Sequence, residues 1–160
     1  VNYRTPAQIM EASSDVLAEI NPTAQQPRSI RRSAYDVELI DRADNTWLVV
    51  LQQTVHHMQN FHPGEKRTCG ILVSPAVMGD LQAVMDTTIL DRTVLDAAVS
   101  LVQDAKGLEF DYVIIADPVG MVEASPQGLN DLFVAMTRAT QALAIVHDGA
   151  VPYCLSDLVE

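Results

Sequence analysis

Two short apolar runs constrain this chain more than anything else in it: Thr68 to Ser74, and Tyr112 to Ala116 with its unbroken Tyr-Val-Ile-Ile-Ala. A strand with one wet face alternates apolar and polar residues, whereas an unalternated run is stable only where both faces are covered, as in a parallel sheet under helices. The neighbouring segments supply the helices. Pro6 to Ile20 starts on Pro and spaces Ile9, Met10, Val16, Leu17 and Ile20 as one apolar side. Thr46 to about Phe61 does the same with Trp47, Val50, Leu51, Val55, Met58 and Phe61, and Pro63-Gly64 ends it. Pro75 to about Met85 and Gly128 to Arg138 read as further helices, and Ser156 onward as a terminal one. Tyr35 to Ile40 alternates like a half-wet strand, Val94 to Val102 and Ala142 to His147 read as strands, and residues 22–34 as a loop. Alternating strands and helices predict an α/β fold with a mainly parallel sheet, helices on both faces, and functional residues at the carboxyl ends of the strands. With no repeat and no long linker, residues 1–160 are expected to form a single domain.

Composition narrows the function. At 160 residues, 48% hydrophobic and 19% charged, with a mean hydropathy of +0.10, the chain can bury a core. Its apolar runs, Trp47 to Leu51 and Val113 to Ala116 among them, fall far short of the roughly 20 residues of a membrane span. The first residues lack the basic stretch, apolar core and cleavage site of a signal peptide, and an initiator Met, so the chain is expected to begin inside a longer protein. Cys69 and Cys154 have neither metal-ligand nor disulfide-framework spacing, which suits a reducing cytoplasm. A net charge of -11 works against holding nucleic acid by bulk electrostatics, so any contact with a strand must be local. The acidity serves either solubility or a basic partner.

Three stretches could carry chemistry. Asn2-Tyr3-Arg4-Thr5-Pro6 sets an aromatic beside an arginine ahead of a helix: either a stacking face with a phosphate fork, or a packed Tyr and a solvated Arg. Gln103 to Asp111 packs a cation, a glycine and three carboxylates between two apolar strands. Gly107 allows a tight backbone, Lys106 suits a phosphate and Glu109 suits ribose hydroxyls, unless Lys106 and Glu109 merely pair locally. Leu132 to Ala139 is a mostly apolar helix ending at Arg138, which fits an arginine finger or a charge on the helix dipole.

Taken together, the three stretches resemble the second motor domain of the superfamily 1 helicases of the UvrD/Rep type. Asn2-Tyr3-Arg4-Thr5 resembles motif IV, Lys106-Gly107-Leu108-Glu109-Phe110-Asp111 motif V, and Val134-Ala135-Met136-Thr137-Arg138-Ala139 motif VI. The resemblance implies a RecA-like fold of the P-loop NTPase type, and a nucleotide site shared with an upstream RecA-like domain of the same protein. It implies that Tyr3 stacks on the adenine, Arg4 and Arg138 reach the γ-phosphate as catalytic charges, and Glu109 binds the ribose, with Lys106 and Gly107 beside the nucleotide. ATP would be the cofactor, with Mg²⁺ held mainly by the upstream domain, and the output an ATP-dependent helicase or translocase acting on nucleic acid, expected to be DNA.

The chain departs from the pattern in two places. Gln103 stands where many members have His on the nucleic-acid side. About a hundred residues separate Tyr3 from Lys106, too few for the insertion of UvrD and Rep, which is closer to the HelD-like branch whose members associate with RNA polymerase. The rival expectation is a non-catalytic, helicase-like module that binds RNA polymerase or another partner. Tyr112 to Asp117 imitates a Walker B strand, but the chain contains no Gly-x-x-x-x-Gly-Lys-Ser/Thr Walker A loop, so Asp117 is expected to be a loop or capping acid. His56, His57 and His62 have no Cys or paired acids at ligand spacing, and no metal site is expected of them.

Overall fold

The computed structural model describes residues 6–20, 37–61, 68–85, 93–94, 97–105 and 107–149. The helix expected from Pro6 runs over Ala7–Ile20 (α1), and the Pro6 carbonyl accepts the Ile9 amide at 3.1 Å. Thr46 caps the second helix, Trp47–Gln59 (α2), by accepting the Val49 amide. It leaves the helix interior to Val50, Leu51, Val55 and Met58, all buried. Pro75–Met85 (α3) matches its expected bounds.

The strands are Glu38–Asp41 (β1), Cys69–Val73 (β2), Thr93–Val94 (β3), Ala97–Ser100 (β4), Phe110–Ala116 (β5) and Ala139–His147 (β6). They form one sheet in the order β1-β6-β5-β2-β4-β3, parallel throughout except for the antiparallel β3–β4 edge. The mainly parallel α/β architecture is thus as expected. The strand expected over Val94 to Val102 is instead two short strands followed by a 3-10 turn at Val102–Ala105. A short helix, Pro118–Glu123 (α4), was not expected. The helix placed over Gly128 to Arg138 stops at Met136 (α5), with Thr137 as its C-cap and Arg138 beyond it in the turn into β6. The loop at residues 22–34 and the terminal helix from Ser156 lie outside the described residues.

Side-chain alternation divides the core into two layers. Tyr112, Ile114 and Ala116 of β5 meet Val50, Leu51 and Val55 of α2 and Val77 and Leu81 of α3. Val113 and Ile115 face the other way, onto Ile9, Ala12 and Val16 of α1 and Leu132, Ala135 and Met136 of α5. Each fully buried aliphatic of this kind stabilises by about 1.5–3 kcal/mol, which is why the unalternated runs could sit only in the middle of the sheet.

Phe110 breaks the alternation. It packs on the α1/α5 side with Val113, not with Tyr112, and the β5–β6 register shifts between Phe110 and Tyr112. Its ring lies over Gly70, where an added Cβ would come within 2.7 Å of the ring carbons. Gly70→Ala must therefore displace a half-buried ring at the start of β5. We expect it to lower stability by about 1–3 kcal/mol, as overpacking does, seen as a lower urea midpoint at unchanged slope. An unchanged midpoint would show that the ring is free to move aside.

Candidate functional site

All five parallel strands point the same way, so the chain leaving β4 at its carboxyl end has to travel back along the sheet before it can enter β5. The 3-10 turn makes that return on the α5 side, where Val102 is buried. Gly107 then turns the backbone with φ at 81°, a left-handed value that favours glycine. Leu108, 51% exposed, and the exposed Glu109 follow at the amino end of β5.

Arg138 reaches the same edge by another route. After Met136 the helix carbonyls need donors, and the Arg138 amide gives one to Ala135 at 3.2 Å while its Nε gives another to Val134 at 3.3 Å. The Arg138 carbonyl in turn accepts the Phe110 amide at 3.0 Å. One backbone bond therefore ties the residue after Glu109 to Arg138 itself, and the sheet brings the motif V and motif VI segments together. The guanidinium does serve the end of its own helix, as one of the two sequence readings allowed. Only its Nε is committed to that. Among the described residues the two terminal nitrogens have no carboxylate or carbonyl partner.

The meeting point corrects one expectation. Glu109 and Arg138 lie at the amino ends of β5 and β6, not at the carboxyl ends, because each precedes its strand. The carboxyl edge is occupied by internal contacts. Asp117, with φ at 64°, caps α4 through the Gly120 amide at 3.1 Å and accepts the Ser74 hydroxyl at 2.7 Å, in keeping with the capping role expected of it. Arg42 pairs with Asp148 at 2.9 Å and lies 5.0 Å from the Trp47 ring centroid. Of the sequence-predicted site residues, Gly107, Glu109 and Arg138 are brought to one edge, while Tyr3, Arg4 and Lys106 lie outside the described residues.

Sequence reasoning missed the polar groups behind this edge. The Asp111 carboxylate accepts the Thr68 amide at 2.9 Å and the Thr68 hydroxyl at 3.2 Å, and the Asp111 amide donates to the same hydroxyl oxygen at 2.9 Å. Thr140 donates to the Phe110 carbonyl at 3.3 Å. Thr68 and Asp111 are far apart in sequence, and only the pairing of β2 with β5 makes them neighbours.

Cys69, at the head of β2, is buried, and desolvation pushes its thiol from 9.0 up to about 12, so it stays protonated at neutral pH and offers no nucleophile. The unfolded thiol ionises at its ordinary value while the buried one does not. Unfolding therefore releases a proton between pH 9 and about 12, and stability falls as pH rises through that window. Cys69→Ala should fall less steeply there than the parent, by at most about 1.4 kcal/mol per pH unit, in denaturation curves taken across the range. Identical slopes would mean that the thiol ionises in the folded state.

Residues 96–146, which span the motif V and motif VI segments, match a family described as the UvrD-like helicase C-terminal domain. No curated protein sequence matches the chain. Among solved structures, the C-terminal domain of a possible DNA helicase from Lactobacillus plantarum superposes with a TM-score of 0.63 at 19% identity, covering 99% of this chain and 94% of that one. The helicase nonstructural protein 10 of an arterivirus gives a TM-score of 0.39 at 18% identity, over 99% of this chain and 26% of that one. Neither the family description nor these structures mention RNA polymerase or the HelD-like branch. The chain has the RecA-like fold of a helicase C-terminal domain, and it is similar to the UvrD-like family over the segments that build the Glu109–Arg138 edge.

Proposed function

We propose that this chain is the C-terminal motor half of an ATP-dependent DNA helicase or translocase, and that the amino edge of β5 and β6 is its side of a nucleotide cleft shared with an upstream motor domain. The observation that carries this reading is the state of Arg138. In a chain of net charge -11, the described cations other than histidine are Arg42 and Arg138. Arg42 is neutralised by Asp148, whereas Arg138 is fixed through its Nε and backbone with its terminal nitrogens uncommitted among the described residues. A rigid guanidinium with free donors is suited to phosphate oxygens, and Glu109, exposed and adjacent in sequence to the Phe110 that bonds Arg138, carries a carboxylate suited to ribose hydroxyls.

The donor set fits a nucleoside triphosphate. When bound, ATP supplies the transferable phosphoryl group, and phosphoryl transfer needs positioned positive charge more than covalent help. Arg138 would place that charge without reorganising, because its amide and Nε are already tied to α5 and its carbonyl to β5. Glu109 would orient the sugar end. Tyr3 and Arg4 are proposed, from the motif IV resemblance, to stack on the base and add a second phosphate contact, and Lys106 and Gly107 to flank the nucleotide. The phosphate loop and the Mg²⁺ ligands would come from the upstream domain.

In the full-length protein, Arg138→Ala should lower ATP turnover by roughly 10³ or more while leaving nucleotide binding largely intact, and Arg138→Lys should restore little. Steady-state turnover and nucleotide titration measure the two. Near-normal turnover in the alanine variant would leave Arg138 a helix-end charge and turn the balance to the non-catalytic, partner-binding reading. The isolated chain should release no phosphate above background, because nothing in its sequence forms a Walker A loop.

The polymerase-associated, HelD-like assignment rests on the short spacing between motifs IV and V, Gln103, and the acidity of the chain. Each phosphate contact needs a cation, so single-stranded DNA should bind this chain weakly at physiological salt. A salt titration of strand binding beside a pull-down with RNA polymerase, both on the full-length protein, decides between the branches. Tight strand binding with no polymerase recovered would remove the HelD-like assignment and leave the motor-domain reading standing.

A further inference from the structure

The β5–β6 ladder is interrupted immediately beyond the bond that joins the two candidate segments. Phe110 pairs with Ala139, but Tyr112 pairs with Ala142, so the single residue Asp111 stands opposite two, Thr140 and Gln141. Such a bulge loosens regular pairing and re-aims the residues beside it. The tip carrying Glu109 and Arg138 is therefore separated from the continuous part of the ladder by an irregular step, and something else must hold it in register.

Asp111 and its partners span that step. On the β2 side, Asp111 and Thr68 interlock reciprocally: the carboxylate accepts both the Thr68 amide and hydroxyl, and the hydroxyl oxygen accepts the Asp111 amide. On the β6 side, the Thr140 hydroxyl lies 3.3 Å from the Phe110 carbonyl and 3.5 Å from the Asp111 carboxylate. The three threonine and aspartate side chains thus link β2, β5 and β6 across the amino edge, while Gly70 leaves room for the Phe110 ring between them. We propose that Asp111 is a positioning residue, which through Thr68 and Thr140 sets the relative placement of Glu109 and Arg138 toward the nucleotide. This rests on the nucleotide-cleft reading above, and it adds to that reading the group that makes the cleft geometry rigid.

The test uses the full-length protein and has one readout that does not depend on ATP. In Asp111→Ala the Phe110 amide, which donates to Arg138, should exchange with deuterium at least about tenfold faster, while the amides of Val113 to Ile115 stay protected. In the same variant kcat should fall by about tenfold to a hundredfold with a smaller change in KM, since misplaced groups lose the transition state first. Asp111→Asn keeps an acceptor for Thr68 and should restore both readouts. Thr68→Val, a change at an exposed position that removes the hydroxyl half of the interlock, should reproduce the alanine effects in part, and it serves as the test if Asp111→Ala does not fold. Unchanged protection of the Phe110 amide overturns the positioning role. Faster exchange with normal turnover, in a protein that Arg138→Ala inactivates, also overturns it, while normal turnover in Arg138→Ala sinks the nucleotide-cleft reading and this inference with it.

Discussion

The parallel pairing of β5 with β6 is the contact on which the other features hang. Both strands are flanked by strands on either side, and their side chains supply both core layers: Tyr112 and Ile114 to the α2/α3 side, Val113, Ile115, Leu143 and Ile145 to the α1/α5 side. The same ladder ends on the Phe110 amide and the Arg138 carbonyl. Core formation and site formation are in this sense one event, since the chain cannot bury β5 and β6 in register without bringing the two candidate segments together. The second segment adds Ala135, Met136 and Ala139 to the core, whereas Leu108 and Glu109 of the first are exposed.

The fold was legible wherever one periodicity ruled a segment. The unalternated runs of β2 and β5 could only be buried parallel strands, and the apolar spacing of Trp47, Val50, Leu51, Val55 and Met58 left one orientation for α2. Legibility failed where a residue's neighbours come from other strands. Val94 to Val102 reads as one apolar strand, but the chain breaks it into an antiparallel edge, a short parallel strand and a tight turn so that it can return across the sheet. The Thr68–Asp111 interlock had no sequence signal: Thr68 reads as the start of an apolar run and Asp111 as one carboxylate of the motif V-like stretch, and only the pairing of β2 with β5 joins them. Arg138 was legible as chemistry but not as geometry: the apolar pattern places it in the helix, whereas the helix ends at Met136 with Thr137 as its C-cap and β6 starts at Ala139.

The two ends of the sheet are finished differently. At the carboxyl end, polar side chains close on one another: Ser74 with Asp117, Arg42 with Asp148, and the Arg42 head against Trp47. Asp117 tolerates a left-handed backbone there because its carboxylate is held by both Ser74 and Gly120. At the amino end Thr68, Asp111 and Thr140 bond one another behind the edge, and Leu108 and Glu109 are exposed in front of them. An expectation based on open α/β sheets in general looks to the carboxyl end. Here the return of the chain before β5 and the turn before β6 move the chemically distinctive residues to the opposite end.

The contact between α1 and α5 has a mechanical consequence. Ile9, Ala12 and Val16 are buried against the layer that holds Leu132, Ala135 and Met136, so the two helices share one close-packed seam rather than two separate surfaces. Packed interiors of this kind do not shear gradually; they move as a block or repack outright. The turns of α1 that carry Ile9, Ala12 and Val16 and those of α5 that carry Leu132, Ala135 and Met136 then move together. A displacement of the end of α5 before Arg138 is therefore resisted by α1 as well as by α5 itself.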